Sequence, residues 1–225
     1  MIKIRESFTF FFIVQVIVFI TTFSGFYLKL DKKHKALSDI LALETYVSTI
    51  EGVAYMWIWY HIDDIKNMAK KRYLDWVITT LLLLVSSVVY FKYEKSKENN
   101  FKEQITLSNV WETDKKIIKE MFLYNLLMLG FGFAGEMGII PKYYSVPIGF
   151  VFFGLLFNLI YKQYCSVSNV GRQIFPIYLI VWGLYGVCAV LGDVPKNIGY
   201  NILDLVSKSF LGLYIFYLAY KLRKR

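Results

Sequence analysis

Seven predominantly apolar stretches follow one another along this chain, and their length limits what the chain can fold into. About 20 helical residues cross the hydrocarbon layer of a bilayer, where unpaired backbone groups cannot face lipid. The predicted helical spans are 8–30, 37–60, 72–92, 118–138, 146–164, 172–192 and 197–221. The sequence therefore predicts an all-α, seven-transmembrane-helix bundle formed by one domain, residues 1–225, of a multi-pass membrane protein.

Composition and charge support a membrane protein rather than a nucleic-acid-binding one. Hydrophobic residues make up 56% of the chain, above the roughly 45–50% of soluble domains. The net charge of +9 comes from lysines and arginines between the apolar stretches and at the C-terminus, so we expect lipid and no nucleic acid as surroundings. The segment 93–117 is the one long polar connection. The two cysteines, Cys165 and Cys188, indicate neither a disulfide framework nor a metal site.

Lysine and arginine are distributed unevenly between the two sides of the predicted bundle. The side that carries 29–35, the lysines of 92–119 and the tail KLRKR has the larger number. Because cytoplasmic loops are enriched in these residues, the bias predicts that the N-terminus lies outside and the C-terminus in the cytoplasm.

Ionisable residues inside two of the apolar stretches are the least expected feature of the sequence. In the third stretch Arg72, Asp75, Thr79 and Ser86 are offset by 3, 7 and 14 residues, which is one helix face. In the seventh, Asp204 and Lys208 are four residues apart and also share a face.

If the two faces meet, Arg72 and Lys208 can neutralise Asp75 and Asp204, which is the form in which charges survive in a low-dielectric interior. The pattern fits a structural ion-pair cluster that fixes helix register. It equally fits a functional site, because a desolvated lysine is a nucleophilic amine that can form a Schiff base with an aldehyde.

Four segments resemble one known family in the same order along the chain. RYLDWVITTLLLL resembles the third helix of microbial (type-1) rhodopsins, and MLGFGFAGEMGI the fourth helix of proteorhodopsins. VWGLYG resembles the sixth helix, and YNILDLVSKSFLGL the seventh, which carries retinal. The resemblance covers nearly the whole chain and implies a retinal protein, not an enzyme, in a homo-oligomer.

The resemblance also implies roles for individual residues. Lys208 would hold all-trans retinal as a Schiff base, with Asp75 as counterion and first proton acceptor and Asp204 as second counterion. Arg72 would gate outward release. The residues implied to line the chromophore are Trp76, Thr80, Leu83, Met128, Gly132, Trp182 and Tyr185, and Tyr185 would also hydrogen-bond Asp204.

Other positions depart from the family pattern. Asn125 stands where an aspartate often pairs with the threonine matched by Thr80. Gly186 and Ala189 replace larger residues near the ring end of the chromophore, which predicts a roomier pocket. Glu136 is expected at a subunit interface or on the release path.

The acceptor, threonine and donor positions read Asp75, Thr79 and Ser86, a combination that resembles rhodopsins of giant viruses. A serine cannot be a carboxylic donor, so the proton is expected to return from cytoplasmic water, with Glu44 as the competing source. The resulting prediction is a light-driven outward proton pump.

Two alternatives stay open. Glu44 and Glu51 lie seven residues apart on one face of the second helix, where acidic rows can line a cation channel; they also fit a buried hydrogen-bonded pair. The long polar segment 93–117 is the feature that favours a photosensor with a cytoplasmic partner.

Overall fold

The computed structural model describes residues 2–61 and 64–224, and within these residues every regular element is helical. The helices are α1 Ile2–Ser24, α2 Lys35–Tyr60, α3 Ile65–Glu98, α4 Leu107–Glu136, α5 Lys142–Ile160, α6 Asn169–Ala189, α7 Asp193–Asp204 and α8 Phe210–Lys221. A π-helical turn, Leu205–Ser209, joins α7 to α8, so Asp193–Lys221 is one continuous span. The predicted all-α bundle of seven spans is confirmed.

Six of the described helical spans are long and apolar enough to cross a membrane. The span that contains α2 is not among them, because Asp39, Glu44 and Glu51 reduce its mean hydropathy. Both glutamates are buried, so these charges face the bundle and not the surroundings. Large apolar side chains are exposed along the outside of the other helices, as a lipid-facing surface requires: Phe10, Ile13, Ile17, Ile20, Leu74, Ile78, Ile177, Ile180 and Phe210.

The connection between the third and fourth spans is much shorter than the predicted segment 93–117. Helix α3 continues to Glu98 and α4 begins at Leu107, which leaves residues 99–106 between them. Hydropathy marks only the part of a helix inside hydrocarbon, whereas these polar turns continue beyond it. Thr106 caps α4 by accepting a hydrogen bond from the backbone N–H of Asn109 at 3.2 Å.

Other helix ends also differ from the predicted spans. Helix α1 begins at Ile2 and ends at Ser24, where a short 3-10 turn starts at Gly25. A Cβ atom at Gly25 would lie 2.7 Å from Leu41 Cδ1, so glycine lets this turn pack directly on α2. Helices α2, α5, α6 and α7 begin two to four residues before the apolar stretches do, because their first turns are polar.

Helix α3 lies at the centre of the bundle. Consecutive helices pack side by side from α1 to α7, and α7 and α8 return to contact α1. Helix α3 contacts α2, α4, α6 and α7. Of the residues in its most apolar stretch, 67% are buried. The polar face of α3 therefore points into protein, towards the span Asp193–Lys221.

Candidate functional site

Three carboxylates surround the amine of Lys208 in the middle of the bundle. Lys208 Nζ lies 3.2 Å from Asp75 Oδ2, 3.2 Å from Glu51 Oε1 and 3.3 Å from Asp204 Oδ1. The amine comes from the π-helical turn, and the carboxylates come from α3, α2 and α7. All four side chains are buried, so each depends on the others for its compensating charge.

Arg72 lies on the other side of Asp204 and is buried to 1% exposure. Its Nη1 donates to Asp204 Oδ2 at 2.9 Å, and its Nη2 donates to Asn201 Oδ1. Tyr55 also contacts the pair, since its hydroxyl donates to Asp204 Oδ2 at 2.9 Å. The guanidinium carbon lies 5.1 Å from the ring centroid of Phe8, so aromatic contact adds to the ion pair.

Asp204 is the most firmly held carboxylate of the group. Besides Arg72 and Tyr55, it accepts a hydrogen bond at 2.7 Å from the hydroxyl of Tyr185, the contact implied for that tyrosine. Asp75 has a single hydrogen-bond donor, Lys208, and its Oδ1 has none. The two aspartates therefore differ in how easily each can take up a proton.

The charges of this cluster balance if one of its carboxyls is protonated. Two cations and three carboxylates give a net charge of −1 if all five groups are ionised, and an uncompensated buried charge is strongly destabilising. Glu51 is the carboxyl with the weakest support, because Lys208 at 3.2 Å is its one charged partner among the described residues and forms no aligned hydrogen bond with it. We infer that Glu51 carries this proton.

Glu51 is the site residue that the sequence interpretation did not place. The interpretation of Glu44 and Glu51 as a pair with each other is wrong, since Glu51 faces Lys208. Their seven-residue spacing did indicate one buried helix face, and both are buried. That spacing contains no information on which neighbouring helix the face meets.

The remaining members of the α3 face follow Asp75 along the helix. Thr79 is fully buried, and its hydroxyl donates to the backbone carbonyl of Asp75 at 3.0 Å. Ser86 is also fully buried, and its hydroxyl forms no aligned hydrogen bond with any described residue. Glu44 of α2 lies beside Ser86.

A largely apolar cavity opens beside Lys208, and it is lined by all eight residues implied to bind a chromophore: Trp76, Thr80, Leu83, Met128, Gly132, Trp182, Tyr185 and Lys208. A Cβ atom at Gly132 would lie 2.6 Å from the Tyr73 hydroxyl, so glycine at this position leaves room for the Tyr73 side chain. The cavity combines an apolar body with a single amine, which suits an apolar aldehyde.

The far end of this cavity is not opened by Gly186 in the way the sequence predicts. A Cβ atom at Gly186 would lie 2.5 Å from the ring of Phe150, so that ring occupies the space left by the missing side chain. Ala189 also lines this end. At position 186 the missing side chain therefore adds no space to the cavity, and the roomier pocket expected from Gly186 and Ala189 together stays a prediction.

Two further predicted positions form contacts between helices. Asn125 Nδ2 donates to the Thr80 hydroxyl at 2.8 Å, which joins α4 to α3 beside the cavity. The Glu136 side chain is only 5% exposed and binds Lys196 at 2.9 Å and Lys142 at 3.0 Å. Glu136 therefore ties α4 to α5 and α7 within one bundle, and its role at a subunit interface or on the release path stays a prediction.

Comparison with known proteins relates the chain to light-absorbing membrane proteins. The sequence profile described as bacteriorhodopsin-like protein matches residues 6–222. A green-light absorbing proteorhodopsin of Gamma-proteobacterium EBAC31A08 is 23% identical over 87% of this chain and 80% of its own length. A blue-light absorbing proteorhodopsin of Gamma-proteobacterium Hot 75m4 is 25% identical over 67% of this chain, and the match spans only 61% of that relative. Among solved structures, the viral rhodopsin OLPVRII superposes with a TM-score of 0.82 at 26% identity, covering 98% of this chain and 99% of that one.

The arrangement around Asp204 predicts that Arg72→Ala is severely destabilising. Removing one partner of a buried pair leaves the other charge uncompensated, at a cost of about 3–5 kcal/mol. The neighbouring Lys71→Ala is the matched control, because Lys71 pairs with the half-exposed Asp64 at the surface and its loss costs about 0–1 kcal/mol. Thermal unfolding of both purified variants would check this; equal midpoints would contradict the assignment.

Proposed function

The chain belongs to the bacteriorhodopsin-like family, and from that premise we propose that it is a light-driven outward proton pump. Members of the family bind retinal and reside in membranes as multi-pass proteins, and they are not enzymes. The observation that carries the proposal is the buried amine of Lys208, which lies 3.2 Å from a carboxylate with few hydrogen-bond donors, Asp75.

The cavity beside Lys208 fits retinal. Its walls are formed mainly by Trp76, Trp182 and Met128, and glycine keeps space where a larger residue would collide with Tyr73. Lys208 would hold retinal covalently through its amine, and the bound group would supply the light-driven change of shape. Every other step can be assigned to side chains of this chain.

Asp75 is the proposed acceptor of the proton held on the Lys208 nitrogen. It lies 3.2 Å from that nitrogen, and its Oδ1 is free to receive a proton. Asp204 is a poorer acceptor, because Arg72, Tyr55 and Tyr185 all donate to it and stabilise its ionised form. Asp204 would then act as the fixed counterion.

Arg72 supports release towards the N-terminal side. It lies one helical turn before Asp75 on α3, between the cluster and the end of the bundle where α3 begins. The tail and the lysine-rich ends of α3 and α8 lie at the opposite end, which the charge bias assigns to the cytoplasm. Release past Arg72 is therefore proposed to be outward.

The return of the proton is proposed to involve Glu44. Ser86 is no carboxylic donor, but the buried carboxyl of Glu44 lies beside it. This proximity favours Glu44 over direct supply from bulk water, since its buried carboxyl is already at the level of Ser86 and need not reach across the bundle.

A light-gated cation channel is the second candidate, and one observation favours it. Several buried polar atoms of α1, α2 and α3 have no aligned hydrogen-bond partner in the part of the chain that the structure describes: Gln15 Oε1, Glu44 Oε1, Glu51 Oε1 and Ser86 Oγ. Buried polar groups of this kind are usually satisfied by water, and a file of water is what a cation path needs.

A long polar connection was the feature that favoured a photosensor. The third and fourth spans are joined by residues 99–106 alone, so this argument for a photosensor no longer applies. Family likeness still supports a homo-oligomer in lipid.

Illumination should distinguish pump from channel. Cells that express the protein with retinal should acidify an unbuffered medium, and voltage clamp should record outward current at zero driving force. Lys208→Ala should abolish both signals and the visible absorption band. A current that vanishes at zero driving force and reverses with the cation gradient would identify a channel instead.

Asp75→Asn and Glu51→Gln should have different effects on colour. Removing the negative charge of Asp75 should shift the absorption maximum to the red, because that charge stabilises the cation on Lys208 before excitation. Glu51→Gln replaces a neutral carboxyl by a neutral amide of similar shape and should leave the maximum nearly unchanged. Absorption spectra at neutral pH decide this, and a red shift in Glu51→Gln as large as that in Asp75→Asn would disprove the neutral Glu51.

Glu44→Gln should slow recovery of the proton on Lys208 by about tenfold or more, in line with the loss of a general acid. Flash photolysis between pH 6 and 9 would measure it. The wild type should show weak pH dependence and Glu44→Gln a rate that falls as pH rises. Tyr46→Phe, an exposed position on the same helix, is the control and should not change the rate. A strongly pH-dependent wild type would restore bulk water as the source.

A further inference from the structure

A second cavity, far from Lys208, lies at the lysine-rich end of the bundle. It occupies about 530 Å³, within the range of roughly 300–1,000 Å³ typical of small-molecule sites. Its walls come from the end of α3, the 99–106 connection, α4 and the π-helical turn Tyr161–Cys165 that continues α5. Phe91 and Ile105 form its apolar floor.

The charges that face this cavity are predominantly positive. Five charged residues line it: Lys92, Lys95, Lys102, Glu103 and Asp114. Lys92 is bound to Asp114 at 2.9 Å, so these two charges compensate each other. Lys95 and Lys102 form no ion pair among the described residues and outnumber the one remaining acid, Glu103.

A buried hydroxyl provides an independent sign of a ligand. Tyr164 lines the cavity and is only 4% exposed, and its hydroxyl lies beside the Asp114 carboxylate without forming an aligned hydrogen bond to any described residue. Leaving such a buried group unsatisfied costs about 1–3 kcal/mol, so natural structures usually supply an acceptor. The amide of Gln163 is a further donor at the rim.

We propose that this cavity binds a phosphate monoester. Two ammonium groups, an amide and a phenolic hydroxyl are all donors, and a monoester dianion has the several acceptor oxygens that they require. An apolar floor beside these donors accommodates the organic part of the ester. The cavity takes no part in the proposed transport path, so this site stands or falls independently of the pump.

The monoester can come from either of two sources that share this chemistry. The end of the bundle meets the membrane surface, where the headgroup of a phosphatidic acid would arrive from the side. A soluble sugar or glycerol phosphate would arrive from the aqueous phase.

Binding to the purified, retinal-bound full-length protein tests the proposal in two arms. In the first arm, glycerol 3-phosphate is titrated calorimetrically into protein in phosphatidylcholine nanodiscs, with glycerol as the uncharged control. In the second arm, nanodiscs contain phosphatidic acid or the diester lipid phosphatidylglycerol, and native mass spectrometry counts retained lipid.

The double variant Lys95→Gln with Lys102→Gln should weaken binding about tenfold or more in whichever arm shows it, and Tyr164→Phe should weaken it several-fold. The matched control is Lys115→Gln with Lys116→Gln, which removes the same charge from exposed positions of α4 outside the cavity and should leave affinity unchanged. An unchanged visible band verifies that each variant is folded. Absence of binding in both arms, or an equal loss in the control, would overturn the proposal.

Discussion

The ionic contacts of Lys208 are the interaction on which the rest of this structure depends. One ammonium group joins α2, α3 and α7 through three carboxylates, and Arg72 extends the group to Tyr55 and Asn201. Because these side chains are buried, every charge must be compensated by another side chain or by a proton. The cluster therefore dictates both which helices lie next to each other and how many protons the interior retains.

Small residues allow the helices to approach closely enough for that cluster to form. A Cβ atom at Gly212 of α8 would lie 3.0 Å from Thr22 Cγ2 of α1 and 3.6 Å from Glu44 Cβ of α2. In lipid, such close approach replaces the hydrophobic effect as the main source of helix association. Small residues also determine the packing around the cavity beside Lys208, where glycine at 132 and 186 leaves room for the rings of Tyr73 and Phe150.

Much of the fold could be predicted from the sequence, because the length of an apolar stretch and the need for paired backbone groups leave few choices. Spacing placed the residues of the α3 face on one side of that helix, and family resemblance alone named the residues that line the cavity beside Lys208. Glu51 could not be placed, because the contact between two helix faces depends on their relative rotation. The polar ends of α3 and α4 were missed for a different reason, as hydropathy does not register helix outside hydrocarbon. Phe150 shows a third limit: a neighbour can fill space that a small residue appears to leave.

The π-helical turn Leu205–Ser209 has a consequence for how this span can change in evolution. A π-helical turn accommodates one residue more than the same length of α-helix, and in an α-helix each residue turns the chain by about 100°. Loss of one residue within the turn would restore a regular helix, but it would rotate Lys208 and Asp204 relative to each other. The amine would then leave the side of the helix that meets Glu51 and Asp75. Among descendants of this gene, insertions and deletions should therefore be tolerated in the connections and purged from these five positions, even where individual side chains vary.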